Sequence, residues 1–372
     1  MPEVRLDNIG AAMRDAYPEL DLVRAASGED PVFLVGGAVR DLLLGCERTD
    51  VDLVVIGDAA SLATGLGAEV IEHERFATAK LRLDGHEVDI ATAREEVYQR
   101  PGALPTVVPA ATIEADLGRR DFTINAMALP LRGGQRVIDP LDGHADLEAG
   151  LLRVLHRRSF VDDPTRALRA ARYAARFGFT LEAETEALLR DADLETVSAD
   201  RRKVELLRLA AEPEAVRGFG LLAEWGLIAL REGGIELATR VSELLAAPPW
   251  RDFAPRDRAL MQAALGPAGG EEELAAAHPR RPSLAVELAS RRDPVELVLA
   301  RALGAEWLDR YLLEWRSVKL EIDGEDLIAA GVPEGPAVGL GLAAALRAKL
   351  DGELSGRDEE LAAALDAARG SA

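Results

Sequence analysis

Asp50 and Asp52 stand two apart in the run Asp50-Val-Asp52-Leu-Val-Val. On a strand that spacing puts both carboxylates on one face and Val51, Leu53 and Val55 on the other, toward a core. Paired carboxylates on one face suit a two-metal site, where oxygen-seeking Mg²⁺ is held against a triphosphate. Just upstream lies Phe33-Leu-Val-Gly36-Gly37-Ala38-Val-Arg40-Asp41-Leu-Leu-Leu-Gly45. Gly36 and Gly37 allow a backbone to approach an anion unobstructed. A helix opening near Ala38 would aim amide N–H groups and a positive dipole end at the same place. Arg40, one turn in, is placed to reach a triphosphate, and Asp41 to orient either Arg40 or a sugar hydroxyl.

Two further stretches combine charge with helical spacing. The first is Asp116-Leu-Gly-Arg119-Arg120-Asp121-Phe-Thr-Ile-Asn125-Ala-Met127-Ala. Asp121 and Asn125, four apart, share a face if a helix opens here. The second is Asp162-Asp163-Pro164-Thr-Arg166-Ala-Leu168-Arg169-Ala-Ala-Arg172-Tyr173-Ala-Ala-Arg176. Asp162 suits an N-cap and Pro164 a first turn. Asp163, Arg166, Arg169 and Arg172 recur every three residues and drift along one side of the predicted helix. Leu168, Ala171, Ala175 and Phe179 supply its buried side.

The opening signature resembles that of the class II tRNA nucleotidyltransferases (CCA-adding enzymes) and bacterial poly(A) polymerases, within the superfamily of DNA polymerase beta. That family carries L-V-G-G-x-V-R-D-x-L-L-G and then D-x-D, almost letter for letter as here. It also carries R-R-D-F-T-I-N-A-x-A, which Arg119 to Ala128 match in spacing, and an E-D-x-x-R helix, with Asp162 where the family usually has Glu. The resemblance implies that Asp50 and Asp52 hold Mg²⁺, and that a third carboxylate lies on a neighbouring strand. Asp89 is preferred over Glu87 in His86-Glu87-Val-Asp89. It implies that Arg119 binds the incoming nucleotide, with Asp121 and Asn125 structural or sugar-contacting. It implies, too, that Asp163 and Arg166 act as an amino-acid template for the base. A carboxylate accepts from the exocyclic amine of C or A and a guanidinium donates to the adjacent ring nitrogen, whereas U and G present the opposite polarity. Arg169 and Arg172 would then hold phosphates.

Two connecting motifs also resemble the family. Ile138-Asp139-Pro140-Leu-Asp142-Gly143-His-Ala-Asp146-Leu is expected to be a structural hinge. Ser198-Ala-Asp-Arg201-Arg202-Lys203-Val-Glu205-Leu is expected to be a capped helix that buttresses the template helix. The resemblance runs over about residues 30–210, and no His-Asp phosphohydrolase motif is visible.

These motifs must be positioned by a chain of 372 residues, 48% of them hydrophobic, enough for two to four packed units. An amphipathic helix is expected over 8–26. Strands and helices then mix: strand 32–36, helix 37–44, strand 51–56, a helix near 59–66, and strands near 68–72, 78–83 and 86–91. Gly102, Pro105 and Pro109 break 94–112 into a long, mobile loop. Helices are expected over 146–150, 163–177, 182–192, 200–211 and 213–226, with a linker from Gly266. The fold class is α+β: a nucleotidyltransferase head over 1–138, a helical neck over 139–211 and a helical body and tail over 212–372.

A single cysteine, Cys46, excludes a disulfide framework and a cysteine-based zinc site. The N-terminus lacks the basic and apolar regions of a signal peptide, and no run of 18 apolar residues exists, so a cytoplasmic protein with no membrane contact is expected. The net charge of −21 argues against a general nucleic-acid binder. From Arg153 to Arg176, however, seven arginines meet two aspartates, a local strip able to bind a phosphate backbone. The expected activity is template-independent addition of C and A to the tRNA 3′ end from CTP and ATP, with Mg²⁺ as cofactor and no obligate protein partner. A CC-adding, A-adding or poly(A)-adding enzyme shares every motif. The segment Tyr98 to Val107, where the family has a flexible loop important for the final A, looks full length. Outside the class, a non-catalytic RNA-binding relative is opposed by the intact Asp50 and Asp52.

Overall fold

The structure is a computed structural model that describes residues 9–46, 50–67, 71–73, 78–83, 85–133 and 136–370. The chain divides into two compact units, Met1–Leu227 and Ile228–Ala372.

The first unit opens with α1 (Ile9–Ala16) and α2 (Leu20–Ala26). The single helix expected over 8–26 breaks at Tyr17-Pro18, because Pro18 has no N–H to donate and disfavours α geometry at the residue before it. A mixed head follows: β1 (Val32–Val35), α3 (Gly37–Leu43), β2 (Val51–Val55), α4 (Ala59–Gly65), β3 (Ile71–His73), β4 (Thr78–Leu83), β5 (His86–Thr92), β6 (Arg94–Val97), β7 (Thr106–Pro109), α5 (Ile113–Gly118), a 3₁₀ turn at Thr123–Asn125 and β8 (Ala128–Pro130). Residues 68–70, part of one predicted strand, lie outside the described residues. Six strands form one sheet in the order β3-β4-β5-β2-β1-β8. Within this sheet, among the described residues, only β2 and β5 pair in parallel, with Asp52 directly opposite Asp89.

The alternation read from the sequence holds on these two strands. Val51, Leu53, Val55, Val88 and Ile90 enter the main core, which α1 to α4 help to fill. Asp52 and Asp89 stand on the other side. The expected loop over 94–112 is instead a hairpin, β6 pairing antiparallel with β7 from Arg94↔Pro109 to Val97↔Thr106. The alternating Thr106-Val-Val supplies a strand, and Gly102 and Pro105 are left to the turn.

The rest of this unit comprises α6 (Gly143–Ala149), β9 (Leu151–Leu152), α7 (Ser159–Asp162), α8 (Thr165–Phe177), β10 (Thr180–Leu181), α9 (Ala183–Leu188), α10 (Ala199–Ala211) and α11 (Ala215–Glu224). Gly178, in the left-handed region at φ 74°, ends α8. Phe179 therefore lies beyond the helix, its ring tilted at 38° against Phe177 with centroids 5.5 Å apart, rather than on its buried face. Tyr173 meets Phe122 edge-on at 5.9 Å and joins α8 to the head. Phe122 is fully buried, which contributes about 1.5–3 kcal/mol.

The second unit is helical: α12 (Gly234–Leu245), α13 (Arg256–Leu265), α14 (Gly270–Ala276), α15 (Pro282–Ala289), α16 (Pro294–Ala302), α17 (Trp307–Arg310) running into a π turn at Tyr311–Trp315, α18 (Gly324–Ala329), α19 (Pro336–Leu350) and α20 (Arg357–Gly370). The predicted linker shrinks to Gly266–Gly269, since three glutamates in the first turn of α14 favour its positive end. Its last three helices close on Leu327, Ala345 and Ala364. No helix among the described residues is long and apolar enough to cross a membrane.

Candidate active site

The sheet face opposite the main core opens into a cavity of about 780 Å³, lined by residues from β1, α3, β2, β4, β5, the β6–β7 hairpin, the Arg119–Asn125 segment and α8. Asp50, Asp52, Asp89, Gly36, Gly37, Arg40, Arg119, Asp163, Arg166, Arg169 and Arg172 all line it. Residues scattered over 137 positions of sequence thus share one wall or another of a single cavity.

One wall is acidic. Asp52 and Asp89 are register partners on β2 and β5, with Asp50 at the head of β2. Asp52's carboxyl pKa is raised, first by desolvation and then by the charges of Asp89 and Asp50, against the opposing pull of Arg120 and Lys80. Lys80, opposite Asp89 on β4, pairs with its Oδ2 at 3.2 Å. Asp89 Oδ1 is buried with no hydrogen-bond partner. Glu87 is exposed and pairs in register with Arg82, away from the cavity lining.

A repelling carboxylate cluster with one orphaned oxygen fits a hard cation. Among the described residues, no group of three or more acidic, His or Cys side chains is placed to hold a metal ion. Mg²⁺ keeps several waters and takes substrate oxygens, so one or two protein carboxylates can bind it.

The opposite wall is cationic and tightly braced. Gly36 has φ 65° and ψ −127°, a conformation open only to glycine. A Cβ there would also lie 2.6 Å from Arg120 Nη1. Arg40 is only 3% exposed. It donates to Asp41 Oδ1 at 2.8 Å and to Asn125 Oδ1 at 2.6 Å, and sits 4.6 Å over the Phe177 ring. Of the two roles considered for Asp41, the geometry shows it orienting Arg40. Arg176 holds its other oxygen at 3.2 Å.

Asp121 accepts from the Phe122 amide at 2.8 Å and Asn125 Nδ2 at 3.0 Å, and pairs with Arg169 at 2.7 Å. Burial alone would raise the Asp121 pKa, but Arg169, Asn125 and Arg166 hold it lowered. The backbone here is a 3₁₀ turn, yet Asp121 and Asn125 do meet. Arg119 donates to Asp116 Oδ1 at 3.0 Å and to Glu96 Oε1 at 2.8 Å. Asp116 is fully buried; Arg120 and Arg119 outweigh that burial and keep its pKa lowered.

At the head of α8 the capping differs from expectation. Asp162 does not cap the helix: Pro164 holds the N-cap position, and Asp163 Oδ1 accepts from the Thr165 amide at 3.1 Å and hydroxyl at 2.7 Å. Asp162 closes α7 and pairs with Arg158 across one turn. Pro164, intervening, starts α8 one residue later than Asp162 could cap. Arg166 donates to Ser159 Oγ at 2.6 Å and to the Arg119 carbonyl at 2.8 Å, so two signature motifs touch. Arg201, from the predicted buttress helix, donates to Asp163 Oδ1 at 2.9 Å. The Asp139–Asp146 connection is fastened: Asp139 accepts from the Gly143 and His144 amides, and Asp146 from Thr123.

Arg94, Glu96 and Tyr98 also line the cavity; the sequence reading gave none of them a place in the site, Tyr98 entering only as the start of the Tyr98–Val107 segment. Their two-residue spacing along β6 and one residue past its end is the signal that could have found them, masked by the loop-forming residues that follow.

Residues 32–153 match the family model described as poly A polymerase head domain. The chain is 36% identical over 357 residues to the CC-adding tRNA nucleotidyltransferase of Deinococcus radiodurans, over 91% of this chain and 90% of that protein. It is 32% identical over 393 residues to the A-adding tRNA nucleotidyltransferase of Geobacter sulfurreducens, over 90% of this chain but only 44% of that protein's length. A second A-adding relative, from Halalkalibacterium halodurans, is likewise spanned over 48% of its length. A solved structure, "The structure of CCA-adding enzyme apo form II", superimposes with a TM-score of 0.77 at 31% identity, over 96% of this chain and 98% of that one.

Proposed function

Because the chain belongs to the tRNA nucleotidyltransferase family, we propose that it adds C and A residues (CCA) to the 3′ end of tRNA from CTP and ATP, without a nucleic-acid template and with release of pyrophosphate. The observation that carries the reading is the cavity's pairing of walls. The carboxylates Asp50, Asp52 and Asp89 face the same space as Asp163, Arg166 and a row of arginines.

Asp50 and Asp52, with Asp89, would hold Mg²⁺, which when bound offsets the triphosphate charge and favours attack of the tRNA 3′-hydroxyl on the α-phosphate. Arg119, Arg169 and Arg172 bind phosphate oxygens, and Gly36 and Gly37 keep the backbone close to them. Asp163 accepts from the exocyclic amine of C or A, and Arg166 donates to the neighbouring ring nitrogen. Held by Arg201, Thr165, Ser159 and the Arg119 carbonyl, both side chains need little reorganisation to read a base. A nucleotidyltransfer on tRNA, one cysteine and the want of a membrane-spanning helix among the described residues agree with a cytoplasmic setting.

CC addition alone is the second reading, favoured by the end-to-end likeness to the CC-adding relative. The complete Tyr98–Val107 segment favours addition of A as well. Incubating the protein and Mg²⁺ with tRNA lacking A, CA or CCA, and with each labelled nucleotide in turn, tests both. Labelling of the CCA-less tRNA by CTP and of the A-less tRNA by ATP supports the full activity. Labelling by CTP only supports the second reading, and labelling by neither refutes both.

A further inference from the structure

A nucleobase needs an apolar face as well as a polar edge, and most of the cavity lining is charged. Two tyrosines line it, Tyr98 and Tyr173. Tyr173 is spoken for: it is 6% exposed, covered by Arg40 at 5.2 Å and Arg172 at 4.7 Å, and wedged between Phe122 and Phe177. Tyr98 is half-buried, and its ring meets no other ring or guanidinium among the described residues. Leu104 and Pro105, from the same turn, line the cavity beside it.

The ring is also held in place. Its hydroxyl donates to Glu96 Oε2 at 3.0 Å, and Glu96 Oε1 accepts from Arg119 at 2.8 Å. The turn carrying it is tied to the base-reading residues. The Gly102 amide donates to the Asp162 carbonyl at 3.2 Å, and Arg201 donates both to the Gly102 carbonyl at 2.8 Å and to Asp163 at 2.9 Å. Gly102, at φ 68°, presses so close that a Cβ would lie 2.6 Å from the Thr196 carbonyl oxygen.

We infer that Tyr98, flanked by Leu104 and Pro105, is the platform on which the incoming base stacks while Asp163 and Arg166 read its edge. The inference rests on the nucleotidyltransferase reading and deepens it. Stacking on an aromatic face tolerates both C and A, because every base offers a π-face. It also gives the hairpin turn a direct role in binding.

The test is equilibrium dialysis of the intact protein with ATP, CTP and inorganic tripolyphosphate, each with Mg²⁺. Tyr98→Ala is expected to weaken ATP about tenfold or more, CTP less because its ring is smaller, and tripolyphosphate less than about twofold. Tyr98→Phe recovers most of the loss, since it keeps the ring and drops only the Glu96 bond. If Tyr98→Ala melts early, Tyr98→Leu, which keeps apolar volume without the aromatic face, is expected to show the same pattern. Unchanged ATP affinity, or an equal loss of tripolyphosphate, overturns the inference while leaving the nucleotidyltransferase reading standing. A wild-type protein that binds ATP with this variant pattern yet labels no tRNA refutes that reading and upholds the stacking site.

Discussion

Asp163→Asn isolates the base-reading role because the structure divides the carboxylate into two atoms with different duties. Oδ1 takes the Thr165 amide and hydroxyl and Arg201 Nη2 at 3.1, 2.7 and 2.9 Å. Oδ2 is the atom left for a substrate. Asparagine keeps a carbonyl in the first place and puts an NH₂ donor in the second. Against the exocyclic amine of C or A, donor then meets donor, at a cost of about 1–3 kcal/mol in a desolvated site. Against the carbonyl of U or G a new bond forms, contributing about 0.5–1.5 kcal/mol. The combined swing is roughly 2–4 kcal/mol, or about thirty- to several-hundredfold in relative kcat/KM. The loss of charge opposite Arg201, itself partly exposed, costs the fold about 1 kcal/mol or less. The assay is kcat/KM for CTP, ATP, UTP and GTP on tRNA lacking its 3′ end, with a urea titration as control. A fallen rate with wild-type selectivity would refute the argument, and α8 would then be a phosphate and RNA contact instead of a template.

Three further outcomes are expected. Asp52→Asn should abolish nucleotide addition yet raise the thermal midpoint at pH 7, because desolvation and two neighbouring carboxylates disfavour its charge. With the native pKa raised, the wild-type penalty sets in as pH climbs past the ordinary carboxylate value, so the gain should vanish in acid; a gain that persists there contradicts the account. Asp121→Ala leaves Arg169 without its buried partner and should cost about 3–5 kcal/mol in urea unfolding. As the Asp121 pKa is lowered, the stability it contributes is present above the ordinary carboxylate pKa and lost as pH falls through the native value; a wild-type–variant difference that is flat with pH would count against the pair. Finally, tRNA binding should weaken steeply with salt despite the charge of −21, and a flat titration by filter binding would argue against a tRNA substrate.

The site was legible where one local signal carried both geometry and chemistry. Alternation alone put Asp50 and Asp52 on one face, and Gly36-Gly37 marked a backbone turn whose φ of 65° at Gly36 admits little else. The register that brings Asp89 against Asp52 was not legible, since parallel pairing leaves no mark on either strand. Nor were the long-range partners of the two arginines: Arg40 is sunk against Asp41 and Asn125, which lies 85 residues away, and Arg119 is held by Asp116 and by Glu96 of β6. The hairpin over 94–109 was misread because Gly102, Pro105 and Pro109 are equally the residues of a long loop and of a turn with an edge strand. Tertiary pairing decided between them, and with that choice Glu96 and Tyr98 moved from a loop into the cavity wall.

Net charge misleads for a similar reason. The chain carries −21 overall, but among the described residues the cavity lining sets ten arginines and lysines against seven carboxylates. Three of those seven, Asp50, Asp52 and Asp89, form the wall suited to a cation. The other four, Asp41, Glu96, Asp121 and Asp163, each hold an arginine at 3.0 Å or less. They do not oppose a polyanion so much as aim the guanidiniums that would meet it, and such braced donors need not reorganise when a triphosphate enters. An acidic protein can therefore present a cationic site, because the charge that a substrate meets is set by what lines the cavity and screened from the rest within about a Debye length.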